Sequence, residues 1–205
     1  MNIQREMAAL APEDSARADL YGLLAHVYYG PPSPQLLDAI AGADDVAALA
    51  AHDAPLAQAW RRLQAACAAA DAGAVRAEYH DLFLGVGLAA VPLQASWYLA
   101  GSLNDKPLAR VRGDLAALGL SRLQSSSESE DHFSALAESM RALIARAGAG
   151  GGLEDQKRFF ARHIQPWYAG LVERIDAAAR ANFYRIVSAL TRAFLDTEKA
   201  QFETY

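Results

Sequence analysis

Apolar residues recur along this chain at intervals of three and four, and hardly anywhere at intervals of two. The first run, Leu20, Leu23, Leu24, Val27 and Tyr28, follows helical spacing behind Asp14, a residue type that caps helices, and Gly30-Pro31-Pro32 closes it. Ser33-Pro34 joins a cap to an N1 proline and opens a short helix that turns at Gly42. An alanine-rich helix is expected from about Pro55 to Ala70. Asp71 begins the next, with Val75, Tyr79, Leu82 and Phe83 on one face until Gly85-Val86-Gly87 stops it.

Past a loop over 85–96, Ser96-Trp97-Tyr98-Leu99 reads as a short apolar helical turn, and Asn104-Asp105-Lys106-Pro107 opens a helix through Leu108, Val111, Leu115 and Leu118. Ser127 and Glu130 match a Ser-x-x-Glu capping box ahead of Phe133, Leu136, Met140, Leu143 and Ile144. A helix starting at Glu128 would stack His132 on Leu136 at the margin of the apolar stripe and set Asp131 on the polar side with Ala135 and Glu138. Gly148-Ala149-Gly150-Gly151-Gly152 cannot continue it and is expected to be a flexible connector inside one domain. Helices near 153–164, 166–179 and 180–198 follow, the last with Phe183, Ile186, Val187, Leu190 and Phe194 on one stripe. The sum is one all-α domain over 1–205, a bundle of about nine to eleven helices, long enough to bury a core without staples.

Composition removes several function classes. The lone Cys67 rules out an internal disulfide and sits in an alanine run, which suits a small buried residue in a reducing compartment. No basic segment precedes an apolar stretch at the start, and no apolar run is long enough to span a bilayer, so a cytoplasmic protein without stable membrane insertion is expected. The formal charge is -5, with four Lys/Arg against eight Asp/Glu in residues 1–70. That balance disfavours nucleic acid and favours cationic or arginine-bearing partners. It also weakens the alternative of a helical transcriptional regulator, which needs a basic helix-turn-helix.

Catalytic chemistry finds no support either. The chain has no Glu-x-x-His, and His26, His52, His80, His132 and His163 show no close pairing, so neither a di-iron nor a zinc site is expected. With no strand there is no place for a phosphate-binding glycine turn, which argues against a small nucleotide-binding protein and against a cofactor. A non-enzyme is expected. What remains is the acid-rich segment Glu128-Ser129-Glu130-Asp131-His132, together with an apolar helix face and a Gly/Pro loop, parts from which a peptide groove could be built.

Three segments, in order, resemble the TorD/DmsD/NarJ family of molybdoenzyme maturation chaperones. Glu78-Tyr79-His80-Asp81-Leu82-Phe83-Leu84-Gly85 followed by Val91-Pro92-Leu93-Gln94-Ala95-Ser96-Trp97-Tyr98-Leu99 is similar to the family's aromatic-x-x-Leu-Phe-x-Gly and Pro-x-x-x-Ser-x-Tyr pattern. Glu128 to His132 is similar to its Glu-Pro-x-Asp-His signature, and Phe159 to Trp167 to its Phe-x-x-x-His-Leu-x-x-Trp segment. The resemblance covers about residues 15 to 195. It implies a TorD-like helical domain, monomeric or homodimeric, that binds the N-terminal, often twin-arginine, signal of a molybdenum-cofactor oxidoreductase catalytic subunit until the cofactor is inserted. By position it implies peptide contacts at Tyr79, Leu82, Phe83, Gln94, Ser96, Tyr98, Asp131 and His132, with Glu128 and Glu130 as further carboxylates for guanidinium groups. Ser129 stands where the signature has proline, and Leu93-Gln94 where some members have a proline-aromatic pair.

Overall fold

A computed structural model describes residues 10–43, 54–85, 88–121, 127–147 and 152–204. Within them run ten helices: α1 (Pro12–Tyr29), α2 (Pro34–Ala41), α3 (Ala54–Ala68), α4 (Ala72–Phe83), α5 (Ala95–Ala100), α6 (Lys106–Ala117), α7 (Phe133–Ala147), α8 (Leu153–His163), α9 (Tyr168–Ala177) and α10 (Phe183–Thr204). The all-helical expectation holds: among the described residues the β-type pairing is one isolated antiparallel bridge, Gln94 with His132. The expected glycine connector lies outside the described residues except for Gly152, which precedes α8.

Local chemistry sets most of the boundaries. Ser33 and Asp71 cap α2 and α4 as expected, accepting from the amides of Leu36 and Ala74. Asp105 begins α6, and its carboxylate accepts from the Lys106 amide. Two starts differ from the sequence reading. α1 begins at Pro12, so Asp14 lies in its first turn and bonds Arg17 instead of capping. α7 begins at Phe133, five residues later than the capping box suggests. Glu130 binds Arg112 at 2.9 Å, while His132 takes the capping role. The His132 carbonyl accepts from Leu136 N at 3.0 Å and its Nδ1 from Ser134 N at 3.2 Å.

α1 packs along α7, while α10 lies against α3, α4 and α9. Aromatic edges join these layers: Tyr28 meets Phe133 at 4.9 Å and Phe83 at 5.9 Å, and Phe83 meets Tyr184 at 4.8 Å. The hydroxyls inside this cluster are satisfied, with Tyr79 donating to the Tyr28 carbonyl and Tyr184 to that of Val27. Two carboxylates fasten the C-terminal helix. Glu78 accepts from the amides of Asn182, Phe183 and Tyr184 at 2.7–3.0 Å and so closes the N-terminus of α10. Near its other end, fully buried Glu198 takes both Nε and Nη2 of Arg17, at 2.6 and 2.9 Å, together with the Tyr21 hydroxyl. Burial opposes the Arg17 charge, but the bonds to Glu198 outweigh it and hold the guanidinium above its usual pKa.

Candidate functional site

The three sequence segments meet in space, and they do so largely below the surface. The chain from Val91 to Ala95 runs beside 131–133: Phe133 N donates to the Leu93 carbonyl at 2.7 Å, and Ala95 N to the Asp131 carbonyl at 2.9 Å. Asp131 is wholly buried. Its Oδ2 accepts from the amide of Ser96 at 2.9 Å and from the Ser96 hydroxyl, and its Oδ1 from the Ser129 hydroxyl at 2.6 Å. A buried carboxylate with three donors is a satisfied charge, and here it pins the start of α5 to the approach of α7. The placement of Asp131 on a polar helix face is thereby corrected, because Asp131 lies in a turn before the helix begins, and residues 131–133 pair with 93–95. Ser129, where the signature has proline, supplies one of the three donors. Proline has no such group.

His132 lies beside it, and burial pushes its pKa down to about 4. The ring is neutral at neutral pH, so its approach of 3.8 Å to Glu128 Oε2 is not an ion pair there. From the third segment Trp167 stacks on Tyr98 with ring centroids 5.1 Å apart, meets the edge of Phe133 at 5.8 Å and donates its Nε1 to the His163 carbonyl at 2.7 Å. Tyr98 in turn donates to the Pro92 carbonyl at 2.9 Å, and His163 Nε2 sits 2.7 Å from Asp114. Burial lowers the His163 pKa while Asp114 pulls the other way.

The ten residues singled out by sequence therefore separate. Tyr79, Leu82, Phe83, Ser96, Asp131 and His132 are buried, whereas Gln94, Tyr98, Glu128 and Glu130 reach the surface. A cavity of about 560 Å³ opens between α1, α6 and α7, and of the ten Glu130 lines it. Ala25, Leu115, Leu120, Ala135 and Ala142 provide an apolar lining, and His26, Tyr29, Glu130 and Glu138 provide polar groups. Gly22 belongs to the same wall, where a Cβ would stand 3.0 Å from the Arg141 side chain that crosses it. Arg141 in turn holds Glu138 through two bonds of 2.7 and 2.9 Å.

The sequence pattern of the nitrate reductase delta subunit family matches residues 49–173, more than half of the chain and a span that contains the three joined segments. The chain belongs to that family. The "Chaperone protein TorD" of Vibrio cholerae serotype O1, in the El Tor Inaba strain and in the Classical Ogawa strain, is 28% identical over 131 residues. That stretch is 60% of this chain and spans 60% of the length of those relatives. Among solved structures, one described as a candidate redox enzyme maturation protein from Archaeoglobus fulgidus superposes with a TM-score of 0.56 at 20% identity, covering 89% of this chain and 93% of its own. At that identity the likeness establishes a shared fold.

Sequence reasoning missed Arg17 with Glu198 and the Arg112, Glu138 and Arg141 surroundings of the cavity. An arginine within an amphipathic helix gives no local sign of its partner, and Arg17 and Glu198 are far apart in the chain. Glu138 carried a weak sign, since it stood on the polar side of the predicted helix. No group of three or more His, Cys, Asp or Glu that could hold a metal ion occurs among the described residues. No described helix is long and apolar enough to cross a membrane.

Proposed function

We propose that this chain is a cytoplasmic maturation chaperone that binds the N-terminal signal of a molybdenum-cofactor oxidoreductase catalytic subunit and holds it until the cofactor is in place. The work is reversible binding and release, with no bond made or broken. Membership of the nitrate reductase delta subunit family carries the reading, and the named TorD relatives agree with it.

The physical fit comes from the cavity. A twin-arginine signal, or its remnant, offers guanidinium groups beside an apolar segment. An apolar lining with Glu130 and Glu138 suits both parts, because a carboxylate next to low-dielectric surface binds a guanidinium more strongly than one in open water. In this reading Glu128, Glu130, Gln94 and Tyr98 are the members of the signature segments that a client can reach. Tyr79, Leu82, Phe83, Ser96, Asp131 and His132 hold the frame on which they stand.

Isothermal titration with twin-arginine signal peptides, alongside capture of molybdoenzyme subunits from cell extract, tests the reading. Saturable binding in either format is expected. Absence of binding to every such client in both formats overturns it.

A further inference from the structure

Glu130 in the cavity lining already holds a guanidinium, and it comes from the chain itself. Arg112 lies on α6 one turn before Leu115, which lines the cavity, and its Nε donates to Glu130 Oε2 at 2.9 Å. The two partners differ sharply in environment, since the Arg112 side chain is 56% exposed and that of Glu130 is 15% exposed. The carboxylate is built into the wall, while the arginine reaches it from solvent on a long flexible stem.

We infer that Glu130 is the cavity's acceptor for a client arginine and that Arg112 is its intramolecular competitor, so that binding exchanges one guanidinium for another. The inference rests on the proposed function for the identity of the client. Exchange suits a chaperone that must release its client. A pair with one exposed partner is worth little, so Arg112 is readily displaced, yet it leaves Glu130 compensated when the client departs. The occupant is an arginine-bearing peptide with apolar neighbours, because an apolar lining beside a partly shielded carboxylate matches that chemistry and does not match an anion. Lysine is a poorer occupant, since an ammonium lacks the planar set of donors of a guanidinium, the group that already bonds this carboxylate through Arg112 Nε.

The position is also informative. Glu130 stands between the buried Asp131 and the Ser129 that bonds it, and takes no part in that bond. The residue there can be exchanged without removing the buried bonds.

The test is isothermal titration of a synthetic peptide with two adjacent arginines before a leucine- and alanine-rich segment, and of its lysine-for-arginine counterpart. Both are titrated into the full chain, into Arg112→Gln, into Glu130→Gln and into the double variant. Arg112→Gln is expected to tighten the arginine peptide about threefold, by removing a weak competitor. Glu130→Gln is expected to weaken it about tenfold, by removing a charge-assisted bond. In the Glu130→Gln background Arg112→Gln is expected to change nothing further. Wild-type binding that Arg112→Gln leaves unchanged or weakens overturns the exchange while the chaperone reading stands. Failure of the wild type to bind either peptide, or any other client, overturns both. Arg112 is exposed, so its variant folds whatever becomes of Glu130→Gln, and circular dichroism confirms the fold of each.

Discussion

Asp131 is wholly buried and has its carboxylate engaged by Ser96 and Ser129, whereas its neighbour Glu130 lines an open cavity and is met by an arginine from solvent. One short acid-rich segment thus contains two kinds of carboxylate. The inward one is surrounded by fixed donors and can serve a client only indirectly, through the geometry it imposes. The outward one sits where its partner is exchangeable. Residue type alone does not tell these roles apart, but burial and the identity of the donors do.

The contrast makes graded predictions for stability. The largest effect belongs to the other inward carboxylate. Glu198→Ala leaves the buried Arg17 with only its bonds to Asp14 and Gln156 and is expected to cost about 4 kcal/mol in urea unfolding. Asp131→Ala leaves three donors without an acceptor and is expected to cost about 3 kcal/mol by the same measurement.

Acid provides a comparable test of the inward half. In the window from pH 6.5, the ordinary histidine value, down to about 4, the unfolded chain protonates His132 and the folded chain does not. Stability therefore falls as pH is lowered through that window, by about 3 kcal/mol from this residue, and levels off below it. Urea midpoints measured across the window should show a shallower slope in His132→Gln; His163, lowered in the same direction, accounts for part of what remains. Ser129→Ala removes a single donor and is expected to cost about 1 kcal/mol.

Much of the fold was legible because it rests on local signals. The caps at Ser33 and Asp71, the glycine stop at Gly30 and the helical period of Val75, Tyr79, Leu82 and Phe83 each act within a few residues. The capping box at Ser127 and Glu130 misled for the same reason. Its local pattern is sound, but backbone pairing of Asp131 and Phe133 with Ala95 and Leu93 keeps the segment out of the helix until Phe133, and nothing nearby in sequence announces that partner. The site was legible in part. The resemblance brought together residues that do converge, Ser96 with Asp131 and Tyr98 with Trp167, but their burial depends on how helices distant in sequence pack. Arg112 beside Glu130 has no sequence signal at all.

The division between the inward and outward carboxylates is tested most directly by titrating the twin-arginine peptide into Asp131→Asn and Glu130→Gln side by side, each normalised to its folded fraction. The account predicts that Glu130→Gln loses about tenfold in affinity with an unchanged urea midpoint, and that Asp131→Asn loses stability but binds within about twofold of wild type per folded molecule. The reverse order, with a folded Asp131→Asn failing to bind while Glu130→Gln binds as wild type, would contradict it.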